Sequence, residues 1–346
     1  MPKPVSKKAV NKNLSCPKWS NASLKLILSH MMIEKRETLA HQCSEFWRID
    51  KKVPYHFDEI SYGNNVFRTT SGKYYRQWEL KSDFSEEIRN GWVFPNETCT
   101  VICTDSNKRE DKYELKMGID EAIKTLFKKF TRWNVDTKIL KVTSKAPKGV
   151  EHFRFNTQHL ILAGKCQEDF NSWRRIVSKI PNKEVRLNTL DKALYIDSMV
   201  SRCQKLCIRE QLPNYHDISD YPWIYNNPHR NVEIQSADFW VGNAFQVISE
   251  WILKPRPLGY SIAFDFKNYD HVVVAFQYSE HYLHGVASQI PGITNSLRHC
   301  VTFPLNEKLE LVVRGDANTE RGDQFNWQLK LVVMKVGSTV SKFSCK

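Results

Sequence analysis

Residues 325–335 read FNWQLKLVVMK. Phe325, Trp327, Leu329, Leu331 and Val333 alternate with Asn326, Gln328, Lys330 and Val332. Successive side chains of a strand point to opposite faces, so a period of two predicts a strand with one face on a core. Further strand-like runs precede it at 245–253, 259–266, 271–278, 298–303 and 308–314. Breakers separate them: Pro255 and Pro257, Asn268-Tyr269-Asp270, Pro291-Gly292, Pro304 and Gly315-Asp316. Short strands with recurrent turns predict an antiparallel sandwich or jelly roll over 231–346.

Upstream the pattern is mixed. Ile119, Ala122, Ile123, Leu126, Phe127, Phe130 and Trp133 fall on one stripe of a helix, and Lys124, Lys128 and Arg132 on the opposite face. A second helix is expected over 22–47, behind a cap at Ser20 or Asn21, and a third over 186–206. Strands are expected within 55–95, at 98–104, at 138–143 and at 151–162. The fold class is therefore α+β and β-rich. The expected divisions are a basic arm at 1–20, a mixed region at 21–211, a connection rich in proline and aromatics at 212–230, and the β-rich block beyond. No internal repeat is read from the sequence.

The chain has 346 residues, 41% hydrophobic and 26% charged, which excludes a wholly disordered protein. No run approaches the ~18 apolar residues of a membrane-spanning helix, and no secretory signal follows the basic start. The chain is accordingly read as intracellular, its nine cysteines as reduced thiols. Of the net charge of +13, the first 150 residues carry +10. Lys3, Lys7, Lys8, Lys12, Lys18 and Lys25 all precede Glu34, the first acidic residue. Such an arm is an electrostatic footprint for a polyanion, either nucleic acid or an anionic membrane surface.

Two stretches interleave rings with cations, KYYRQW at 73–78 and FKKFTRW at 127–133. Exposed rings stack on bases while cations hold phosphates. The expected nucleic-acid contacts are therefore Lys7, Lys8, Lys12, Lys124, Lys128 and Arg132 for phosphate, with Tyr74, Tyr75 and Trp78 for stacking. Self-association and peripheral membrane contact are further expected options.

Catalytic and metal patterns are sparse. Cys99-x3-Cys103 and Cys203-x3-Cys207 each share a face of their expected element, but the loop-borne knuckles of a zinc site are missing. His281 and His284, near Asp265, Asp270 and His271, define the alternative of a metal-dependent hydrolase acting on nucleic acid. His216-Asp217 with Asp220 and His229 reads as polar turn residues. Nucleophile elbow, Walker A, dinucleotide and zincin motifs are absent. Neither cofactor nor metal is expected, and the chain reads as non-enzymatic. A protein-interaction module is the third reading.

One stretch resembles the core of the viral 30K movement-protein superfamily. The strand Thr100-Val101-Ile102-Cys103-Thr104 ends in Asp105, Arg109 follows, and then come the helix at 119–133 and the strand at 138–143. The resemblance implies a β-rich fold that binds single-stranded nucleic acid without sequence preference and carries a viral genome between cells. Asp105 is expected to be a turn residue. A capsid-type jelly roll with a basic arm accounts for the arm and the C-terminal block equally well.

Overall fold

A strand that crosses over and returns parallel beside itself almost always does so with right-handed geometry. When successive strands are added in one direction, every crossover then falls on the same side of the sheet. The fold of this protein follows from that rule. The computed structural model describes residues 20–341 apart from 90–91, 131–133, 165–166, 178–182, 189–196, 210–223, 225, 236–240, 292–299 and 318–326.

Three helices open the described chain: α1 (Asn21–His30), α2 (Ile33–Gln42) and α3 (Ser44–Asp50). They replace the single helix expected over 22–47. Met31 and Met32 are extended at ψ 140° and 141°, and Cys43 is extended again, so the chain turns twice. Ser20 caps α1, its Oγ accepting from the Ser23 N–H at 3.1 Å. Leu24, Leu28, Ile49 and Val53 form a small core of their own.

The strands follow: β1 (Tyr55–Gly63), β2 (Val66–Ser71), β3 (Tyr74–Arg89), β4 (Trp92–Asp105) and β5 (Glu110–Leu115). After α4 (Ile119–Phe130) come β6 (Asn134–Val142) and β7 (Arg154–Leu162). Next are α5 (Gln167–Arg174), β8 (Glu184–Leu187), α6 (Ser198–Ser201), β9 (Lys205–Ile208) and β10 (Asn231–Ile234). The chain continues with α7 (Val241–Leu253), β11 (Ser261–Phe266), α8 (Tyr269–Leu283), β12 (Val286–Gln289) and β13 (Cys300–Pro304). It closes with β14 (Leu309–Ala317), β15 (Trp327–Lys335) and β16 (Val340–Ser341).

All of these strands lie in one sheet, in the order β16-β12-β13-β14-β15-β11-β10-β9-β8-β7-β6-β1-β2-β3-β4-β5. From β1 through β6, β7, β8, β9 and β10 to β11, every neighbouring pair is parallel. Antiparallel strands extend the sheet at both ends. The fold is thus α+β and β-rich. The C-terminal block differs from the expected sandwich, because β11 to β16 continue the single sheet instead of forming two stacked ones. The connection at 212–230, most of which lies outside the described residues, does not interrupt the sheet: Leu206 before it pairs with Val232 after it.

Strand and helix exchange places in three of the expected elements. The runs at 245–253 and 271–278 are helical, in α7 and α8, and they bury Val247, Ile248 and Trp251, and Val272, Ala275 and Phe276. The expected helix over 186–206 contains the end of β8, the short α6 and the start of β9.

One core cluster runs along one side of the sheet. Phe127 of α4 meets Tyr62, Phe67, Phe153 and Phe155, and Trp173 of α5 meets Tyr62 and Phe155. Residues from α7 and α8 join the same cluster as Leu206, Val232, Phe264 and Leu329. The described helices and the core therefore share one side; the other, helix-free side, termed the open face, carries half-buried Arg186, Lys330 and Arg314 beside buried Cys207, Glu233 and Ala263.

Candidate functional site: the open face of the sheet

Each parallel strand repeats one short pattern. Leu160 and Leu162, Val185 and Leu187, Leu206 and Ile208, Val232 and Ile234, and Ile262 and Phe264 are all buried on the helix side. The apolar-x-apolar triplets begin at 160, 185, 206, 232 and 262, one on each of these five strands. The residue inside each triplet points to the open side. Register aligns these residues into one row: Ile161, Arg186, Cys207, Glu233, Ala263, then Lys330 of β15 and Arg314 of β14.

Ion pairs tie three of the row's seven residues, Arg186, Glu233 and Arg314, to its flanks. Arg186 contacts Glu184 at 2.9 Å, Lys205 contacts Glu233 at 2.5 Å, and Arg314 contacts Asp316 at 3.2 Å. Gln235 donates to Glu233 at 2.8 Å, and Gln328 donates to Asp265 at 2.9 Å. Burial pulls the Lys205 ammonium down, but the hydrogen bond and charge of Glu233 outweigh it and the pKa is raised. His159, with Nδ1 4.0 Å from Glu184, is lowered chiefly by burial, aided by Lys183, Arg186 and Lys205.

Two cavities open on this side near β1. The paired register of β1, β6 and β7 skips Asp58, Lys138 and Gln158 together. At this shared kink lies a cavity of about 580 Å³ lined by His56, Asp58, Asp136, Lys138, Asn156 and Gln158. Lys138 neutralises Asp58 at 2.5 Å, and Asp136 accepts from Asn156 at 2.8 Å while facing His56 at 3.4 Å. The second cavity, about 430 Å³, is lined by Glu59, Ser61, Arg68, Tyr75 and Lys141 among others.

The expected nucleic-acid residues scatter. Lys7, Lys8, Lys12 and Arg132 lie outside the described residues. Lys124 and Lys128 are on α4, on the far side from the open face; Lys128 is exposed, and half-buried Lys124 lies 3.9 Å from Glu121. Tyr74 and Trp78 are core residues, which corrects the stacking expectation for both. Trp78 is 1% exposed and stacks on Phe67 with centroids 5.3 Å apart, and Tyr74 is 5% exposed beneath the Arg76 guanidinium. They are buried because the first part of β3 alternates, with Tyr74, Trp78 and Leu80 facing the helices. Only Tyr75 of the three reaches the open side, where its hydroxyl donates to Gln77 at 2.7 Å.

Asp105 closes the β4–β5 turn, its Oδ1 accepting from the N–H groups of Asn107 and Arg109. The Arg109 hydrogen bond is the main reason its pKa is lowered. His281 and His284 are exposed at the end of α8 and do not converge in a pocket, and His216-Asp217 lies outside the described residues. Among the described residues, no group of three or more His, Cys, Asp or Glu is arranged to hold a metal ion. Cys99 and Cys103 on β4 are separated from Cys207 on β9 by seven strand spacings, roughly 33 Å, so the two pairs do not share a site. Cys203 lies 3.9 Å from His229 Nδ1, and burial pushes its thiol up to about 11.

Fold and face together define a class: a single-sheet scaffold of sequential parallel strands, helices on one side and a charge-patterned surface on the other. A protein-family model described as a domain of unknown function (DUF3557) matches residues 118–268, from the start of α4 to just beyond β11, which takes in most of the parallel run. No match was found among curated proteins or solved structures. None of the described helices is long and apolar enough to cross a membrane.

Proposed function

We propose that this chain is a non-enzymatic recognition scaffold whose open sheet face binds a segment of a partner protein. The observation that carries this reading is the open face itself. Sequential strand order keeps every described crossover helix on the other side, and the register lines up side chains of both signs in rows across the strands. Stacked parallel units of this kind present extended binding surfaces. Acidic and basic groups are mixed here, and mixed charge gives register and partner choice more than bulk attraction. A polyanion would meet Asp58, Glu59, Asp136, Glu184 and Glu233 as well as the cations. For the nucleic-acid reading, the net charge of +13 and the exposed Lys128 stand in support, with Tyr75 as the accessible ring.

The test is site-directed photocrosslinking in cells. A crosslinker replaces Ile139 or Ile161, half-buried on the open face, and in a control it replaces Lys128 on the helix side. Discrete protein adducts from the open-face positions alone are expected. Adducts from Lys128 only, or RNA adducts from the open face, would overturn the reading.

A further inference from the structure

We infer that the cavity of about 430 Å³ beside β1 is a subsite for the phosphate of a phosphorylated serine on the partner segment, with a lysine or arginine two residues away from it. The inference rests on the reading of the open face as a protein-binding surface and states which chemistry that surface selects.

Strand pairing builds the floor of this cavity. Ser61 of β1 stands opposite Arg68 of β2 on one side and Lys141 of β6 on the other. The order across the strands is cation, hydroxyl, cation, and all three residues line the cavity. The small side chain between two long ones leaves the hollow. Arg68 and Lys141 are exposed, and among the described residues no carboxylate is within ion-pairing distance of either. Gln77, opposite Arg68 on β3, braces the guanidinium: its Oε1 accepts from Arg68 Nε at 2.7 Å and from the Tyr75 hydroxyl at 2.7 Å. The two outer guanidinium nitrogens stay available to a ligand.

The neighbouring charges fix what fits. Asp58 and Lys138 neutralise each other at 2.5 Å, and so do Glu79 and Lys81 at 3.2 Å. Glu59 also lines the cavity, with no cation within ion-pairing distance among the described residues. Two cations and one carboxylate leave one positive charge. Glu59 is two residues before Ser61 on β1 and faces the same side, about 7 Å along the strand. A partner segment lying extended beside β1 repeats that spacing between its own alternate side chains. A phosphoserine over Ser61 therefore brings the residue two positions away over Glu59, and a lysine or arginine there completes an ion pair. Phosphate, with about two negative charges, and that cation together carry one negative charge, which the site balances. Phosphate presents three outer oxygens, one each for Arg68, Ser61 and Lys141. A planar carboxylate presents two. Charge-assisted bonds of this type are the strong ones.

The experiment uses the full chain and the acetylated peptide Gly-Lys-Ala-pSer-Ala-Lys-Gly, whose two lysines serve either chain direction. Controls are the unphosphorylated peptide, the phosphopeptide with alanine for both lysines, inorganic phosphate and oligouridylate. Binding is followed by backbone amide shifts. The phosphopeptide is expected to shift Ser61, Arg68 and Lys141, and the unphosphorylated peptide is not. Arg68→Ala and Lys141→Ala should each weaken binding about tenfold or more, the scale of a lost hydrogen bond to a charged group. Lys141→Arg should retain it, and Lys128→Ala on the helix side should leave it unchanged, which separates local contact from bulk charge. Glu59→Gln should abolish the preference for the lysine-bearing phosphopeptide over its alanine form. Inorganic phosphate binding as tightly as the phosphopeptide would overturn a protein-borne source, and tighter binding of oligouridylate at the same amides would overturn the partner class. Shifts confined to β8, β9 and β10 would overturn the subsite and leave the open-face reading standing. Absence of shifts would overturn the subsite too, while photocrosslinking decides the wider reading independently.

Discussion

Arg36 on α2 and Asp50 at the end of α3 form a buried ion pair, Nε to Oδ1 at 2.8 Å, with both side chains 1% exposed. The guanidinium also donates to the carbonyls of Val53 and Pro54 and lies over the Tyr55 ring, 4.5 Å from its centroid. One side chain thus ties the helical entrance to the first strand of the sheet. Removing one partner of a buried pair leaves the other charge without compensation. Arg36→Met is expected to destabilise the fold by about 3–5 kcal/mol, measured as a fall in urea midpoint with little change in slope.

Trp78 is the centre of a second prediction. Its ring is stacked on Phe67 inside the core, away from solvent. Trp78→Ala should cost about 3–5 kcal/mol, the usual range for emptying such a site. Trp78→Phe should fold, and any binding of single-stranded RNA should be unchanged by it in a fluorescence titration. Weakened RNA binding in a stably folded Trp78→Phe variant would restore the stacking role.

Lys330 makes stability depend on pH in a defined direction. Its folded pKa is lowered, by burial first and then by Arg314, from the ordinary 10.5. Below the folded value both states carry the proton, and the native state bears the full penalty. Between the folded value and 10.5 the unfolded chain binds more protons, so this group makes stability rise with pH. Lys205 runs the other way, because Glu233 raises it. Comparing Lys330→Met with the parent isolates the first effect: the stability gap should be largest at neutral pH and shrink as pH approaches 10.5. Paired denaturation curves across that interval provide the measurement.

Thiol reactivity supplies a fourth prediction. Burial pushes both Cys203 and Cys300 up to about 11. The thiolate is the reactive form, so neither is poised as a nucleophile despite His229 beside Cys203. Brief treatment of native protein with iodoacetamide near pH 7.5 should label half-buried Cys43 and leave Cys203 and Cys300 unmodified. Mass spectrometry of the peptides reads the result, and rapid labelling of Cys203 would return it to the list of catalytic candidates.

The strands that alternate over a long stretch were legible in the sequence, β15 above all, since its period of two extends through Trp327, Leu329, Leu331 and Val333. The amphipathic α4 was legible too. The misread elements share a physical cause. In α8 the run of Val272, Val273 and Val274 favours strand by local preference, yet Val272, Ala275, Phe276 and Ser279 are buried at helical spacing. Tertiary burial outweighed propensity there. The strands β8, β9 and β10 are four residues long, too short for alternation to stand out from chance. Each carries a single apolar-x-apolar triplet, a pattern too short to mark a strand on its own. The open face was illegible for a different reason: Lys330 and Arg314 meet through strand pairing, and no local spacing announces that pair.

Among the described residues the sheet is not closed on itself, and its order ends at β5 on one border and β16 on the other. Exposed borders invite another chain to add on and polymerise. The outer strand at one border, β5, carries Glu110, Asp111, Lys112 and Glu114 along an almost wholly exposed segment. At the other, β16 contributes two residues only. The short parallel strands β8, β9 and β10 lie away from both borders. Charge at one margin and brevity at the other are the devices that guard an open sheet against fibre growth.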